Sequence, residues 1–121
     1  MYNWAVVFIG GGLGTVVRYA IAEWVKLNFK TQFPLATLLS NLLSCLVLAL
    51  TLLLLNEKIA AQPSLRLLLI VGFCGGFSTF SSFSFETVNL LKNGNFIYAT
   101  ANVFISVIAC ISLVYLLLKN Q

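Results

Sequence analysis

The chain has 121 residues, 60% hydrophobic and 8% charged, with seven Lys/Arg against three Asp/Glu and a net charge of +4. About a quarter of the residues in a water-soluble domain are charged, so this composition excludes one and makes a lipid bilayer the natural solvent of a single domain over residues 1–121. With no His and no basic stripe outside the apolar segments, zinc sites, Cys–His nucleophiles and nucleic-acid partners are excluded as well.

A helix needs roughly 20 apolar residues to cross hydrocarbon, and four segments qualify. The first covers about residues 4–25. Its leading stretch, MYNWAVVF, lacks the basic n-region of a signal peptide and is read as a retained span. Within it, GGGLGT places Gly10 and Gly14 four apart, a spacing that lets another backbone approach closely. Arg18 follows one turn later. An ionisable residue in a span faces a bundle interior or water, or snorkels to the interface, and both readings of Arg18 stand. KLNFKTQFP connects to the second span, about 35–55, with Pro34 suited to its first turn. There SNLLS brings Asn41 between Ser40 and Ser44. The Asn41 amide is either glue between helices or a donor aimed into a pathway. NEKIAAQPS follows, with Ser64 a candidate N-cap.

The third span, about 65–91, contains GFCGGFSTFSSFSFE. Gly72, Gly75 and Gly76 are expected to let the helix unwind, which is tolerated at membrane depth only where protein or a cavity takes the freed groups. Phe73, Phe77, Phe80 and Phe83, three and four apart, are expected to share one stripe flanked by hydroxyls. Ring edges carry the positive part of the aromatic quadrupole, so edges together with O–H donors suit a small anion. Glu86 closes this run. KNGN is a tight turn into the fourth span, about 96–118, where Tyr98, Asn102 and Ser106 recur every four residues on one polar face. Trp4, Trp24 and Tyr98 fall near span ends, where amphipathic rings favour the interface. Cys45, Cys74 and Cys110 fall in three different spans without metal-ligand spacing and are read as small apolar residues.

Lys/Arg bias sets orientation, and here it is balanced. Lys58, Arg66 and Lys119 share one side with the termini; Lys26, Lys30 and Lys92 lie on the other. Arg18 tips the count one way and the N-terminal amine tips it back. Such a chain inserts both ways or is oriented by something else, and dual insertion permits an antiparallel homodimer. No carboxylate pair, phosphate loop or cofactor motif supports catalysis, so the chain is not read as an enzyme.

GFCGGFSTFSSFSFE, with GGGLGTVVRY upstream and SNLLS in the second span, resembles the Fluc/CrcB fluoride channel family over the whole chain. The resemblance implies an all-α membrane protein of four helices with a broken third helix, paired as an antiparallel dual-topology homodimer with two pores. It implies passive, fluoride-selective efflux across the cell inner or plasma membrane, protecting against fluoride. It further implies a structural Na⁺ on the dimer axis, held by main-chain carbonyls of Gly75 and Ser78. Phe80 and Phe83 correspond to the rings facing fluoride, Asn41 to the pore asparagine, and Glu86 to the acidic residue near the pore mouth. Thr79, Ser81, Ser82 and Ser84 supply hydroxyls, Ser81 foremost. Tyr98, Asn102 and Ser106 occupy the polar track of the fourth helix, with Asn102 departing from the small hydroxyl expected there. Ser78 stands where threonine is common, which leaves a carbonyl role intact. Arg18 belongs to a vestibule or to the scaffold. The rivals are a small dual-topology multidrug exporter, which needs a carboxylate inside the first span where this chain has only Glu23 near its end, and a non-transporting membrane assembly protein.

Overall fold

Helix α1, Tyr2–Asn28, is the first of four spans in a computed structural model that describes residues 2–121; the N-terminal amine counted above lies outside the described residues. The Asn28 amide donates to Trp24 O at 2.8 Å and satisfies a carbonyl of the last turn. Helix α2, Leu35–Ala61, starts directly after Pro34, which therefore caps the helix rather than filling its first turn. The helix also overruns the apolar stretch. It bends at Leu55 (φ −119°, ψ 17°) and continues through Asn56, Glu57 and Lys58 to Ala61. The Glu, Lys and Ala residues of this stretch are good helix formers, so the end of hydrophobicity marks a kink and not a terminus.

Pro63 opens the third helix at its first position, where a missing N–H costs nothing. That makes Gln62 the cap and draws Ser64, the expected cap, into the helix. This helix, α3, spans residues 63–77, and Leu67–Cys74 within it is π-wound. The Gly75 N–H reaches Ile70 O, five residues back, as well as Gly72 O. The chain then leaves helical geometry at Ser78 (φ −83°, ψ 158°) and Thr79 (φ −151°, ψ 117°). Helix α4, Phe80–Lys92, restarts with Thr79 Oγ1 accepting the Ser82 N–H at 3.1 Å as its N-cap.

The break is therefore real, but it does not fall on the glycines. Gly75 has ordinary helical angles (φ −63°, ψ −37°). Extended angles are open to any residue, and a threonine there gains a capping bond that glycine does not offer. The expected single Phe stripe is likewise divided. Phe73 and Phe77 pair edge-on before the break, with ring centroids 5.6 Å apart; Phe80 and Phe83 pair after it, 5.4 Å apart and tilted by 38°.

Gly94 ends α4 with φ +77°, a left-handed angle that favours glycine. Its N–H donates to Leu91 O, and Asn95 N–H to Leu90 O, so the tight turn read from KNGN is present. Asn95 also donates its side-chain amide to Gln32 Oε1 at 2.6 Å, tying the first and third loops together. Helix α5, Phe96–Leu118, completes the chain.

The glycines of α1 and α3 serve close packing. A Cβ on Gly14 would run into Phe73 O and lie 2.7 Å from Phe77 N; one on Gly10 would lie 3.1 Å from Gly72 Cα; one on Gly76 would run into Gly11 O. The α1–α3 pair is thus backbone against backbone. Helix α2 packs mainly on α5, and α4 also rests on α5. The apolar core is small: Val25, Ala49, Ile59, Cys74, Phe77, Phe83, Leu90 and Ala99. Phe8, Leu27 and Ile97 are more than four-fifths exposed. Four stretches, with 63–92 counted as one, are long and apolar enough to cross a membrane, and no strand occurs among the described residues. The chain is an all-helical, multi-pass membrane protein with a broken third span.

Candidate functional site

A break at membrane depth frees main-chain groups that no water will satisfy. Side chains from α1 and α2 take several of them. Asn41 grips both polar groups of Thr79: its Oδ1 accepts the Thr79 N–H at 2.8 Å, and its Nδ2 donates to Thr79 O at 3.3 Å. Ser44 Oγ and Ser78 Oγ both donate to Cys74 O at 2.9 Å. Arg18 Nε donates to Gly76 O at 3.1 Å, with Thr15 Oγ1 3.5 Å from the same oxygen. Arg18 is half-buried and faces the bundle, which decides between its two sequence readings. Two carbonyls are left over. Thr79 N–H, the ordinary helical donor to Gly75 O, is taken by Asn41. Ser82 N–H, the ordinary donor to Ser78 O, is taken by Thr79 Oγ1. Neither Gly75 O nor Ser78 O therefore accepts its ordinary helical hydrogen bond.

Three recesses run from this break. A cavity of about 310 Å³ is walled by Asn41, Thr79, Phe80, Phe83 and Ser106, with Cys45 and Cys110 beside them. A second, about 380 Å³, holds Arg18, Thr37, Ser40, Ser82 and Glu86 and shares Thr79 with the first. A third, about 540 Å³, lies beneath the tied loops against Gln32, Phe33, Asn89 and Asn93, and shares Glu86 with the second. Thr79 and Glu86 therefore link a series of partly polar recesses from the break to the loop side.

The candidate residues are distributed unevenly along this series. Phe80 is 76% exposed and Phe83 9%, so one ring is open while the other is anchored in the fold. Ser81 is exposed, its Oγ 3.2 Å from Thr79 Oγ1. Glu86 is half-buried and accepts a hydrogen bond from Thr37 Oγ1. Of the fourth-helix track, only Ser106 lines the cavity with the rings. Asn102 is 1% exposed, and its amide is committed: Nδ2 donates to Thr87 Oγ1 at 2.9 Å, and Oδ1 accepts from Ser106 Oγ at 3.2 Å. Thr87 Oγ1 in turn donates to Phe83 O at 2.7 Å. Asn102 thus braces the main chain behind Phe83. Tyr98 stands at the loop end of α5, edge-on to Phe33 at 6.1 Å and outside all three recesses.

Sequence reasoning passed over Thr37 and Thr87. Thr37, Asn41 and Ser44 fall at i, i+4 and i+7 on α2, and Thr87 follows Phe83 by four; that spacing was the available signal. In sequence Ser40 stands out only as a neighbour of Asn41. It is 1% exposed with its hydroxyl unpartnered, and it lines the second cavity.

A multi-span helical bundle whose third span breaks beside polar recesses defines a membrane transport protein. The chain belongs to the CrcB-like protein family (Camphor Resistance, CrcB), which matches residues 5–117. It is similar to proteins named fluoride-specific ion channel FluC. The one from Coxiella burnetii is 39% identical over 111 residues, covering 91% of this chain and 90% of the relative. The one from Serratia proteamaculans is 43% identical over 101 residues, covering 83% and 78%. A third, from a Hydrogenobaculum species, is 39% identical over 97 residues, covering 80% and 79%.

Proposed function

We propose that this chain is a fluoride-selective ion channel that lets fluoride leave the cell passively and so protects it from the anion. The observation that carries this reading is the cavity in which Asn41, Ser106 and the backbone break meet the Phe80–Phe83 pair. Fluoride is small and strongly hydrated, so a path must replace its water with N–H and O–H donors and with positive ring edges. The recesses offer such donors in Ser82 and Ser40, and Arg18 adds a positive charge. Glu86, bonded to Thr37, lies between the inner recesses and the loop side.

The working unit in this reading is an antiparallel homodimer with two pores in the cell inner or plasma membrane. The open Phe80 ring and the unfilled space at Gly75, where an added Cβ would meet nothing within 4 Å, support a second copy completing the walls. The two carbonyls whose helical donors are taken elsewhere fit a structural Na⁺: Gly75 O and Ser78 O would hold it by main-chain oxygen, the ligand type that a hard monovalent cation accepts. When bound, the ion would take up the lone pairs of these oxygens and add one positive charge at the break.

Purified protein in liposomes loaded with fluoride tests the proposal. Fluoride efflux without proton coupling, and without matching chloride efflux, is the expected result. Proton-coupled efflux of a lipophilic cation would make the chain an exporter instead, and absence of any flux would leave it an assembly protein.

A further inference from the structure

The three thiols are not equivalent. Cys74 is buried, 6% exposed, in the α3 turn whose carbonyl Ser44 bonds. Cys45 of α2 and Cys110 of α5 are only partly buried, and both wall the 310 Å³ cavity beside Asn41, Phe80, Phe83 and Ser106. They come from two helices that pack directly together, so the pair is presented by the scaffold and not by a loop. No spacing along the chain announces that they share a cavity, because the two residues sit in different spans.

We infer that Cys45 and Cys110 form a two-coordinate site for a soft divalent cation, the mercuric ion, and that filling it closes the cavity. Thiolate ligands select soft metals. Tetrahedral zinc is poorly served, since it wants four ligands and the described residues hold no group of three or more His, Cys, Asp or Glu side chains placed to bind a metal. Charge decides among the remaining soft ions. Two thiolates and one divalent cation make a neutral unit, whereas a monovalent ion would leave a net negative charge in a low-dielectric wall. The step involves no redox change: two S–H bonds break, two S–Hg bonds form, and two protons leave to solvent. The bridge then lies beside the Phe80–Phe83 pair. That it obstructs transport rests on the function proposed above; that it binds does not.

Two readouts separate these halves. Mercuric nitrate is titrated into the purified protein in chloride-free buffer, followed by ultraviolet sulfur-to-mercury absorbance and intact mass. One mercury per chain with loss of two protons is expected. Cys45→Ser and Cys110→Ser should each weaken binding by roughly a hundredfold, the usual gain from a second tethered ligand, while Cys74→Ser should leave it unchanged. In fluoride-loaded liposomes, mercury should reduce efflux to background and a small dithiol should restore it, each variant being compared with its own metal-free rate. Binding that survives the double Cys45→Ser, Cys110→Ser variant, or that is lost with Cys74→Ser, overturns the site. Tight binding to the pair with unchanged efflux overturns the closure. If the metal-free protein passes no fluoride, the functional reading fails while the titration still decides the site.

Discussion

Asn41 makes two hydrogen bonds to one residue, and the pair behaves like a rung of main-chain pairing inserted into a helical protein. Replacement by Leu leaves both the Thr79 N–H and its carbonyl unsatisfied, at about 1–3 kcal/mol for each buried group. Asn41→Leu should therefore lower the thermal midpoint in detergent and abolish fluoride flux together. Asn41→Asp keeps the acceptor, loses the donor and adds a charge, so it should fold better than the Leu variant and still fail to conduct. A Leu variant with wild-type stability would show that the amide does not hold the break. The rings behave differently. Phe80 is largely exposed, so Phe80→Ile should leave the fold intact and cut flux by removing the polarised edge; Phe83→Ile should do the same with a repacking cost of about 1 kcal/mol. Wild-type efflux from the folded double variant would make these rings packing residues only. The sequence showed Asn41, Phe80 and Phe83 because polar or aromatic residues stand out in a span. It did not show that Asn102 braces Phe83, since a hydrogen-bond chain through Thr87 depends on which face of α5 meets α4.

Two helices that touch through glycine tolerate no added carbon at the contact. A Cβ at Gly14 meets the Phe73 carbonyl and one at Gly76 meets the Gly11 carbonyl, and both obstacles are backbone that cannot swing aside. Gly14→Ala and Gly76→Ala should therefore each destabilise the protein by a few kcal/mol, in the range of overpacked cores. Gly12→Ala, with nothing within 4 Å, should be neutral or slightly stabilising. Thermal unfolding monitored by circular dichroism in one detergent orders the three, and equal midpoints would remove the close-packing account. At this scale the four spans were legible from hydrophobic length alone, and the Gly94 turn from KNGN. The exact break was not. Three glycines within five residues pointed to themselves, while the chain used an extended Ser78–Thr79 pair whose capping bond a propensity argument undervalues. The π-wound stretch at Leu67–Cys74 left no mark in the composition, because winding responds to packing against α1. The overrun of α2 is hidden for the opposite reason: a polar stretch after a span reads as an end when it is only an exit from lipid.

For the molecule as a whole, the balanced Lys/Arg count turns dual insertion into a question that added charge can test. Two lysines added after Gln121 should drive the C-terminus to the cytoplasmic side. In the antiparallel reading, that population alone should transport poorly, and co-expression with an oppositely biased version should restore efflux. Full activity from one uniformly oriented population would rule that assembly out. The long first helix has a further consequence. Its 27 residues, at ~1.5 Å each, make a rod of about 40 Å, against hydrocarbon about 30 Å deep. A rod longer than the slab it crosses leans, and leans further as the slab thins. Here the rod is locked to α3 through Gly10, Gly14 and Gly76, and α3 leads directly to the break. A thinner membrane that made the rod lean further would therefore pull on α3 through this contact and so on the break, which would make the bilayer a lever on the pathway as well as its solvent.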